Sequence, residues 1–193
     1  ARLRNEMFEQ EGPLPLVKDR EHNAVTMRLR AGGELWSGPF ALLVEGEGTL
    51  AINEDYNSGV NGKTLYPIVA DPENVEANRV QIQYRTKPLI VTLGRQRINL
   101  DDQRFVGSVA WRQNEQTFAA VRVEYMGVKN LKVDVPYPIA ARTIWEIDGG
   151  KFGSVNRPTE IDGDNVFANV SYKTKFGTLT GFAYLVDQDE PEG

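Results

Sequence analysis

Charged side chains recur two positions apart along this sequence. Arg28 and Arg30 form one such pair, and Glu45 and Glu47 form another. Because residues i and i+2 project from the same face of a β-strand, each pair points in one direction. Opposed basic and acidic rows polarise a water-filled space between them and orient charged solutes there, but the same residue types also pair across strands and stiffen a sheet. The sequence leaves both roles open for the residues in the polar phase of their strands, which are Arg2, Arg4, Arg28, Arg30, Glu45, Glu47, Arg79, Gln81, Gln83, Arg122 and Glu124.

The basic members of this set are concentrated on the first, second and fourth predicted strands, where Arg28, Arg30 and Arg79 lie. Glu45 and Glu47 lie farther along the third strand, so the expected hairpin register does not place them directly opposite Arg28 and Arg30. An uncompensated positive stripe attracts small anions, and salt weakens that attraction. We therefore expect a preference for anions over cations at low ionic strength.

In one hairpin the charged residues are predicted to stabilise the sheet by pairing with each other. Tyr125 and Leu131 are expected to close its turn, which places residues of opposite charge side by side on one face. Each such pair contributes roughly 0.2–1 kcal/mol and cancels its own field locally. The expected cross-strand pairs are Val123 with Val133, Val121 with Val135, Arg122 with Asp134, and Glu124 with Lys132.

Residues 95–116 mix both charge signs with aromatic side chains, among them Phe105 and Trp111. This mixture fits a loop that packs over a sheet and narrows the space beside it, since a solvated loop needs fewer aromatic residues. A solvated outer loop stays the alternative. The candidate constriction residues are Arg97, Asp101, Asp102, Arg104, Arg112 and Glu115.

Composition excludes several kinds of site. The chain has no Cys and a single histidine, His22, so disulfides, thiolate metal sites and two-histidine metal sites are absent. The second long connection carries the oxygen ligands that calcium takes, in Asp55, Asn57, Asn61, Asp71 and Glu73, but the spacing matches no defined calcium loop. We predict no metal and no cofactor. The net charge of -5 argues against generic binding to nucleic acid.

The elements that position these residues are predicted to be β-strands throughout. Apolar and polar side chains alternate strictly over 23–31, 77–85 and 118–125, which is typical of strands with one buried and one polar face. No helical period persists, and no apolar run reaches the length of a membrane-spanning helix. The nine predicted strands cover Leu3–Phe8, Asn23–Ala31, Phe40–Glu47, Ala77–Arg85, Leu89–Gly94, Phe118–Tyr125, Leu131–Val135, Asn165–Tyr172 and Leu179–Val186.

Long and short connections alternate between these strands. The short ones are expected at Gly32–Leu35, Thr86–Pro88, Met126–Asn130 and Thr174–Gly177, and the long ones at Gln10–His22, Ala51–Glu76, Gln96–Gln116 and Pro136–Asp164. Extended outer loops and tight periplasmic turns alternate in this way in transmembrane β-barrels. The pattern therefore favours an antiparallel barrel in an outer membrane.

Tyrosines support the same interpretation. Tyr84, Tyr125 and Tyr172 each end a strand that runs into a short turn, and each takes the apolar phase. Aromatic rings at one membrane interface are expected of such barrels. We expect the lipid to contact the apolar face, represented by Val25, Met27, Leu29, Val80, Ile82, Val121 and Val123.

Three segments carry a resemblance to a known family. They are VEGEGTLAINEDYNSGVNGKTLYPIVADPE at 44–73, LGRQRINLDDQRFVGSVAWRQNEQTF at 93–118 and EIDGDNVFANVSYKT at 160–174. With these segments the chain resembles proteobacterial porins related to the alginate-export outer-membrane proteins. The resemblance implies a barrel of roughly sixteen or eighteen strands around an aqueous lumen. It also implies passive transport, with no enzyme activity and no cofactor. The leading hypothesis is therefore a channel for small polar or anionic solutes.

The chain departs from that family in two ways. Pro136 and Pro138 fall where a regular strand is expected. The odd strand count leaves an unpaired edge, which lipid does not tolerate. We expect the 193 residues to form one domain, the N-terminal half of a larger barrel, whose first and last strands do not join. A complete eight-stranded barrel is the alternative.

Two other functions remain open at this point. An outer-membrane barrel enzyme would need a nucleophile beside His22, and no serine lies close to it in sequence. A soluble β-rich ligand-binding protein would show the same alternation. The expected partners are outer-membrane lipid and small solutes, without nucleic acid, and the oligomeric state is left open.

Overall fold

The computed structural model describes residues 1–10, 20–149 and 157–189. This part of the chain is built from antiparallel strands and one turn of 3-10 helix at Glu146–Asp148. No helix among these residues has the length and apolarity to cross a membrane. The strands are β1 (Arg2–Gln10), β2 (Arg20–Ser37), β3 (Phe40–Glu54), β4 (Asn74–Arg85), β5 (Leu89–Gln96), β6 (Thr117–Tyr125), β7 (Leu131–Arg142), β8 (Glu160–Asp162), β9 (Val166–Lys173) and β10 (Thr178–Leu185).

The strands form one meandering sheet. From β1 to β7 each strand pairs with its neighbour in sequence, then β7 pairs with β9 and β9 with β10. The short strand β8 pairs with the far end of β7. Strand β8 is missing from the nine predicted strands, and with it the described residues contain ten. Within the described residues no ladder joins β1 to β10, as expected, and the sheet is open.

The alternation of long and short connections is confirmed in the described part. Two to five residues form each short turn, at 38–39, 86–88, 126–130 and 174–177, whereas 55–73 and 97–116 are long. The long connection predicted at Gln10–His22 lies mainly outside the described residues, and the one predicted at Pro136–Asp164 does so in part. Tight turns on one side and extended segments on the other are the construction of a membrane barrel.

The first of these turns lies farther along the chain than predicted. It comprises Gly38 and Pro39, with Gly38 at φ 56°, whereas the prediction placed it at Gly32–Leu35. The glycines at 32 and 33 instead belong to β2. A Cβ on Gly32 would lie 2.3 Å from the Val44 carbonyl oxygen, so the close approach of β2 and β3 requires glycine there.

Strand β7 continues through both prolines, so the prediction that it ends at Val135 was wrong. Pro136 and Pro138 pair in register with β6, and the β7–β9 ladder covers only Leu131–Asp134. Asn165 donates its backbone N–H to the Pro138 carbonyl, on the side away from β6. A residue's N–H and C=O point to the same side of a strand. Both missing N–H groups therefore face the side where the ladder is already interrupted, and their loss removes no bond to β6.

The alternation sorts side chains onto two faces. We define the apolar face by Met27, Leu29, Val80, Ile82 and Val121, which are 41–58 % exposed on the isolated chain. The opposite, polar face is largely covered, and its buried members include Thr26, Glu47, Gln81, Gln83 and Thr92. A soluble sheet would bury its apolar face instead. The exposed apolar face is therefore the arrangement that a lipid-facing wall requires.

The tyrosines beside the short turns share the apolar face. Tyr84, Tyr125 and Tyr172 are all exposed. Phe40, the first residue of β3, stands opposite Tyr84, and the centroids of their rings are 5.3 Å apart. Aromatic side chains are thus present at the level of the short turns, where an interfacial girdle is expected.

The buried apolar side chains lie between the polar face and the long connections. One cluster joins Ile98, Leu100 and Val106 of segment 97–116 to Phe118 and Phe167 of the sheet. A second cluster joins residues of the segment 55–73 to β2 and contains Ala24, Tyr56 and Val69. Both long connections therefore fold over the polar face, and they position the charged residues described next.

Candidate functional site

The segment Arg97–Gln116, called here the inner loop, is closed on itself by hydrogen bonds. Leu100 donates its N–H to Val106 O at 3.1 Å, and Gln116 donates to Ser108 O at 2.8 Å. The Asn99 side-chain oxygen accepts the Ser108 N–H at 2.8 Å. With Ile98 and Leu100 buried beneath it, the loop is a packed element of the polar face. Such packing distinguishes it from a solvated loop, and the constriction of a channel by this loop stays a prediction.

Glu115 anchors the inner loop to the wall. Its side chain is 0 % exposed. The Asn78 amide donates to Glu115 Oε1 at 2.7 Å, the Arg30 guanidinium lies 3.0 Å from Oε2, and Arg97 forms a further ion pair. A buried carboxylate without such partners would be strongly unfavourable. Two guanidinium groups and one amide offset that cost, so the loop is fixed at this point.

The neighbouring charges on β2, β3 and β4 are paired directly across strands. Arg79 donates to both carboxylate oxygens of Glu45, at 2.9 and 2.8 Å, and stands opposite it in register. Arg30 likewise stands opposite Glu47 and forms an ion pair with it. The expectation that Glu45 and Glu47 do not stand opposite Arg28 and Arg30 was wrong for Arg30 and Glu47, because the turn at 38–39 shifts the register. It was right for Arg28, which stands opposite Thr49. Arg30 and Arg79 are therefore not an uncompensated stripe.

Arg2 and Arg28 bind backbone oxygens of the inner loop. Arg2 donates to the carbonyls of residues 110, 111 and 112 at 3.2, 2.8 and 3.0 Å. Arg28 donates to Gln113 O at 2.8 Å and lies 4.0 Å from a Glu47 oxygen. These guanidinium groups satisfy carbonyls that would otherwise face the sheet unpaired. Because carbonyls are neutral acceptors, the contacts of Arg2 do not compensate its positive charge.

Asp71 ties the second long connection to the inner loop. Its carboxylate accepts the Gln113 N–H at 2.9 Å and an Arg4 N–H at 3.2 Å. Tyr56 donates its hydroxyl to the Asp71 carbonyl at 3.1 Å, and burial raises the pKa of that hydroxyl. Among the described residues no group of three or more acidic, histidine or cysteine side chains could hold a metal ion. Asp71, considered above for calcium, makes loop contacts in this structure.

The other predicted constriction residues lie on the free surface of the inner loop. Asp101 accepts a hydrogen bond from the Asn169 amide at 2.7 Å. Asp102 accepts the Arg104 backbone N–H at 3.2 Å, and both side chains are exposed. Asp101 therefore ties the tip of the loop to β9, whereas Asp102 bonds only within the loop and faces the open space beside the sheet.

Arg112 stacks on an aromatic ring of the same loop. Its guanidinium lies 4.0 Å from the Trp111 ring centroid, and burial lowers its pKa, partly offset by Asp71. No carboxylate of the described residues lies within 4.0 Å of Arg112, so its charge is uncompensated at ion-pair distance.

On the β6–β7 hairpin the predicted ion pairs form in a different register. Arg122 binds both oxygens of Asp134 at 2.8 and 2.7 Å, and Lys132 lies 3.0 Å from Glu124. Arg122 nevertheless stands opposite Pro136, two residues from the predicted partner. The actual turn pairs Tyr125 with residue 133, and the long side chains reach diagonally across the strands. The bracing role stands, although the register was wrong.

The two predicted glutamines of β4 are buried. Gln83 donates its amide to the Thr92 hydroxyl at 2.8 Å, and Gln81 lies beside it on the polar face. The Gln83 amide therefore links β4 to β5 through side chains, and neither glutamine carries a net charge.

Three charged residues that the sequence analysis missed form a second buried group. Arg142 donates to a Glu76 oxygen at 3.0 Å, and the same nitrogen lies 3.6 Å from Glu146. Glu146 is fully buried. Burial, reinforced by the adjacent Glu76, raises the pKa of Glu146 to about 10. The i,i+4 spacing of Arg142 and Glu146 was a detectable signal, but the burial of Glu146 against β4 was not.

His22 of β2 contacts the 55–73 segment. Its ring is buried on the polar face and packs edge-on against Tyr66, with the centroids 5.0 Å apart. The position is that of a packing residue between β2 and the 55–73 segment.

Comparison with known proteins adds to this description. The family described as Alginate export matches residues 2–143. No curated protein sequence matches significantly. Among solved structures, Acinetobacter baumannii OccAB1 matches with a TM-score of 0.56 and 16 % identity over 93 % of this chain and 42 % of its own. A BenF-like porin from Pseudomonas fluorescens Pf-5 matches with a TM-score of 0.58 and 15 % identity over 95 % of this chain and 48 % of its own.

A third solved structure agrees. Pseudomonas aeruginosa OpdQ matches with a TM-score of 0.52 and 16 % identity, covering 95 % of this chain and 45 % of its own. These likenesses show that the fold is that of outer-membrane porin barrels. The chain spans less than half the length of each of these three solved structures.

Proposed function

This chain belongs to the alginate export family of outer-membrane proteins, and we propose that its sheet forms part of the wall of a channel through which small polar solutes pass passively. One observation carries the proposal. The apolar face is exposed while the inner loop is fixed over the polar face by Glu115, Arg30 and Arg97. A lipid-facing wall with a loop folded to its other side is the arrangement of a channel constriction.

We propose that β1 and β10 pair with further strands to close the barrel, to roughly sixteen or eighteen strands in all. Both strands have one neighbour within the described residues, and a sheet edge in lipid leaves backbone groups unpaired. The matched porins are about twice as long as this chain, which leaves room for those strands.

We propose a moderate preference for small anions, carried by Arg2 and Arg112. Arg30 and Arg79 have carboxylate partners, so they contribute little net field. Within the described residues Arg2 binds only carbonyl oxygens, and Arg112 stacks on Trp111. Their positive charges act on solutes that pass the inner loop.

Planar-bilayer recordings of the full-length protein test this proposal. We expect stepwise ion conductance with anion preference at low salt, weakened at high salt because the screening length is only ~10 Å at about 0.1 M. Arg112→Gln should reduce the preference, since it removes an uncompensated charge without disturbing an ion pair. Absence of conductance would contradict the channel, and cation preference in the unchanged protein would contradict the role of these arginines.

A further inference from the structure

We propose that the polar face of β9 and β10, together with the tip of the inner loop, forms a binding subsite for an uncharged sugar ring. The inference rests on the proposed channel, because the subsite faces the same space as the inner loop. It concerns Phe105, Phe167, Phe182 and Tyr184, which the charged network around Glu115 does not use. These four rings are called here the aromatic platform.

The rings of the aromatic platform are continuous. Phe182 and Tyr184 are stacked, with centroids 4.9 Å apart and an interplanar angle of 24°. Phe105 of the inner loop lies 5.5 Å from Phe182, and Phe167 meets Tyr184 edge-on at 5.3 Å. Two strands and one loop thus contribute rings to one surface on the polar face.

Part of the platform is open to the space beside the sheet. Phe105 is 67 % exposed and Phe182 is 52 % exposed, whereas Phe167 is buried beneath Tyr184. Rings that served only to pack the loop on the wall would be covered like Phe167. Exposed aromatic surface on the polar side of a channel wall is available to a passing solute.

Two cavities adjoin the platform and share Phe105 and Tyr184. One has a volume of about 370 Å³ and reaches Gln116, Asn165 and the side chain of Gln188. The other has a volume of about 460 Å³ and reaches Asp101, Asp102, Arg104 and Thr180. These volumes lie at the lower end of those of small-molecule sites. Apolar rings with a few polar groups at the edge are the usual composition of such sites.

The polar edge selects the chemistry of the occupant. Asp101 and Asp102 supply carboxylate oxygens, which accept hydrogen bonds from hydroxyl groups, and Thr180 adds a hydroxyl. A sugar ring presents apolar C–H surface to aromatic faces and hydroxyls around its edge, so it matches both features. The two carboxylates repel an anionic ring, and Arg104 offsets only one of them. We therefore infer a neutral sugar and not a uronate.

Sugar-dependent block of the ion current tests the inference with the full-length protein in planar bilayers. Maltose should reduce the current at lower concentrations than glucuronate, a sugar that carries a carboxylate. Replacing one stacking ring, by Tyr184→Ala or Phe105→Ala, should raise the half-blocking maltose concentration about fivefold, since an aromatic contact contributes roughly 1 kcal/mol. Phe176→Ala, in an exposed ring on a short turn, is the matched control and should leave block unchanged.

The charge of the edge is tested separately. Asp101→Asn combined with Asp102→Asn should bring the half-blocking concentrations of maltose and glucuronate closer together. Equal block by both sugars in the unchanged protein, or block insensitive to both ring substitutions, would overturn the subsite. If other parts of the full-length protein cover the aromatic platform, the two ring substitutions will leave the block by maltose unchanged.

Failure of the subsite and failure of the channel give different results in these recordings. Conductance without selective block would leave the channel standing and remove the subsite. Absence of conductance would remove the channel, and titration calorimetry of the detergent-solubilised protein with maltose would then decide the subsite by itself. A Tyr184→Ala protein that fails to insert leaves Phe105→Ala as the deciding variant, because Phe105 belongs to the loop and not to the sheet.

Discussion

The wall around Glu115 and the wall around Tyr184 carry opposite kinds of side chain, although both belong to the polar face of one sheet. Around Glu115, charges from β2, β3, β4 and the inner loop meet in ion pairs with little exposure. Around Tyr184, rings from β9, β10 and the same loop meet with much of their surface open. The inner loop touches both regions. Ion pairs fix the inner loop at Glu115, whereas its tip exposes the ring of Phe105.

This difference follows from what each kind of contact requires. A buried charge is tolerated only when its partners are placed within hydrogen-bond distance, so the region around Glu115 must be tightly specified. Most of the free energy of an aromatic contact comes from apolar burial, which has no required direction. Such contacts therefore form even where one side of the rings stays exposed. The charged region is therefore suited to fixing the loop, and the aromatic region to contacting a variable solute.

Breaking the charged region should have the largest effect. Glu115→Ala leaves the guanidinium groups of Arg30 and Arg97 without their shared carboxylate, and removing one partner of a buried pair costs about 3–5 kcal/mol. We expect hydrogen exchange in residues 97–116 to accelerate and the channel current to become larger and noisier. Asp55→Asn, which changes an exposed carboxylate, is the control. Unchanged exchange in the Glu115 variant would contradict the anchoring role.

The buried carboxyl group at Glu146 should make a second anchor pH-dependent. Its pKa is raised to about 10 by burial and by Glu76, whereas in water it returns to about 4.5. The docked segment therefore binds the proton more tightly than the released one. Docking of 143–149 is fully favoured below about pH 4.5 and weakens as the pH rises toward 10, by up to about 1.4 kcal/mol per pH unit.

Hydrogen exchange across 143–149 at pH 5, 7 and 9, corrected for the intrinsic rate, measures this dependence. Glu146→Gln keeps the shape of the protonated carboxyl group and should abolish the dependence, with slower exchange than in the unchanged protein at pH 9. The charged groups that face it, Glu76 and Arg142, stay in place as an internal control. A pH profile equal in both proteins would contradict the assignment.

Bracing of the β6–β7 hairpin should give a smaller effect. Arg122→Ala leaves the buried Asp134 without its two guanidinium hydrogen bonds, at a cost of about 1–3 kcal/mol. Lys132→Ala removes a more exposed partner of the same cluster and should cost under about 1 kcal/mol. Denaturant unfolding of the full-length protein in detergent compares them. The reverse order would show that Lys132, and not Arg122, holds the hairpin.

Much of the sheet could be predicted because strand signals are local. The alternation of Val80, Gln81, Ile82 and Gln83 requires no knowledge of any other strand, and the same holds for the order of short and long connections. The registers could not be predicted in this way. A turn placed at Gly38 and not near Gly32 shifts every partner along β2 and β3, and so changes Arg30 from an unpaired charge to the partner of Glu47.

The candidate site shows the same division. The charges and rings of the inner loop marked it as a packed element, and Glu115 was among its candidates. The partner Asn78, thirty-seven positions away, carries no signal of its own, and neither does the burial of Glu146 against β4. Pro136 and Pro138 were expected to interrupt a strand because a proline lacks an N–H donor. In the structure the side of β7 that lacks these donors is the side where the β7–β9 ladder has already ended, so the pairing with β6 continues.

The sequence by itself determined the class of fold, the two faces of the sheet and the alternation of turns with long connections, because a period of two residues and the chemistry of turns act over a few positions. The tertiary structure alone decided which charges are paired and which rings stay open. Those outcomes depend on where two long connections settle on the polar face, and that placement is set by contacts such as those of Arg2 with residues 110–112, more than one hundred positions apart.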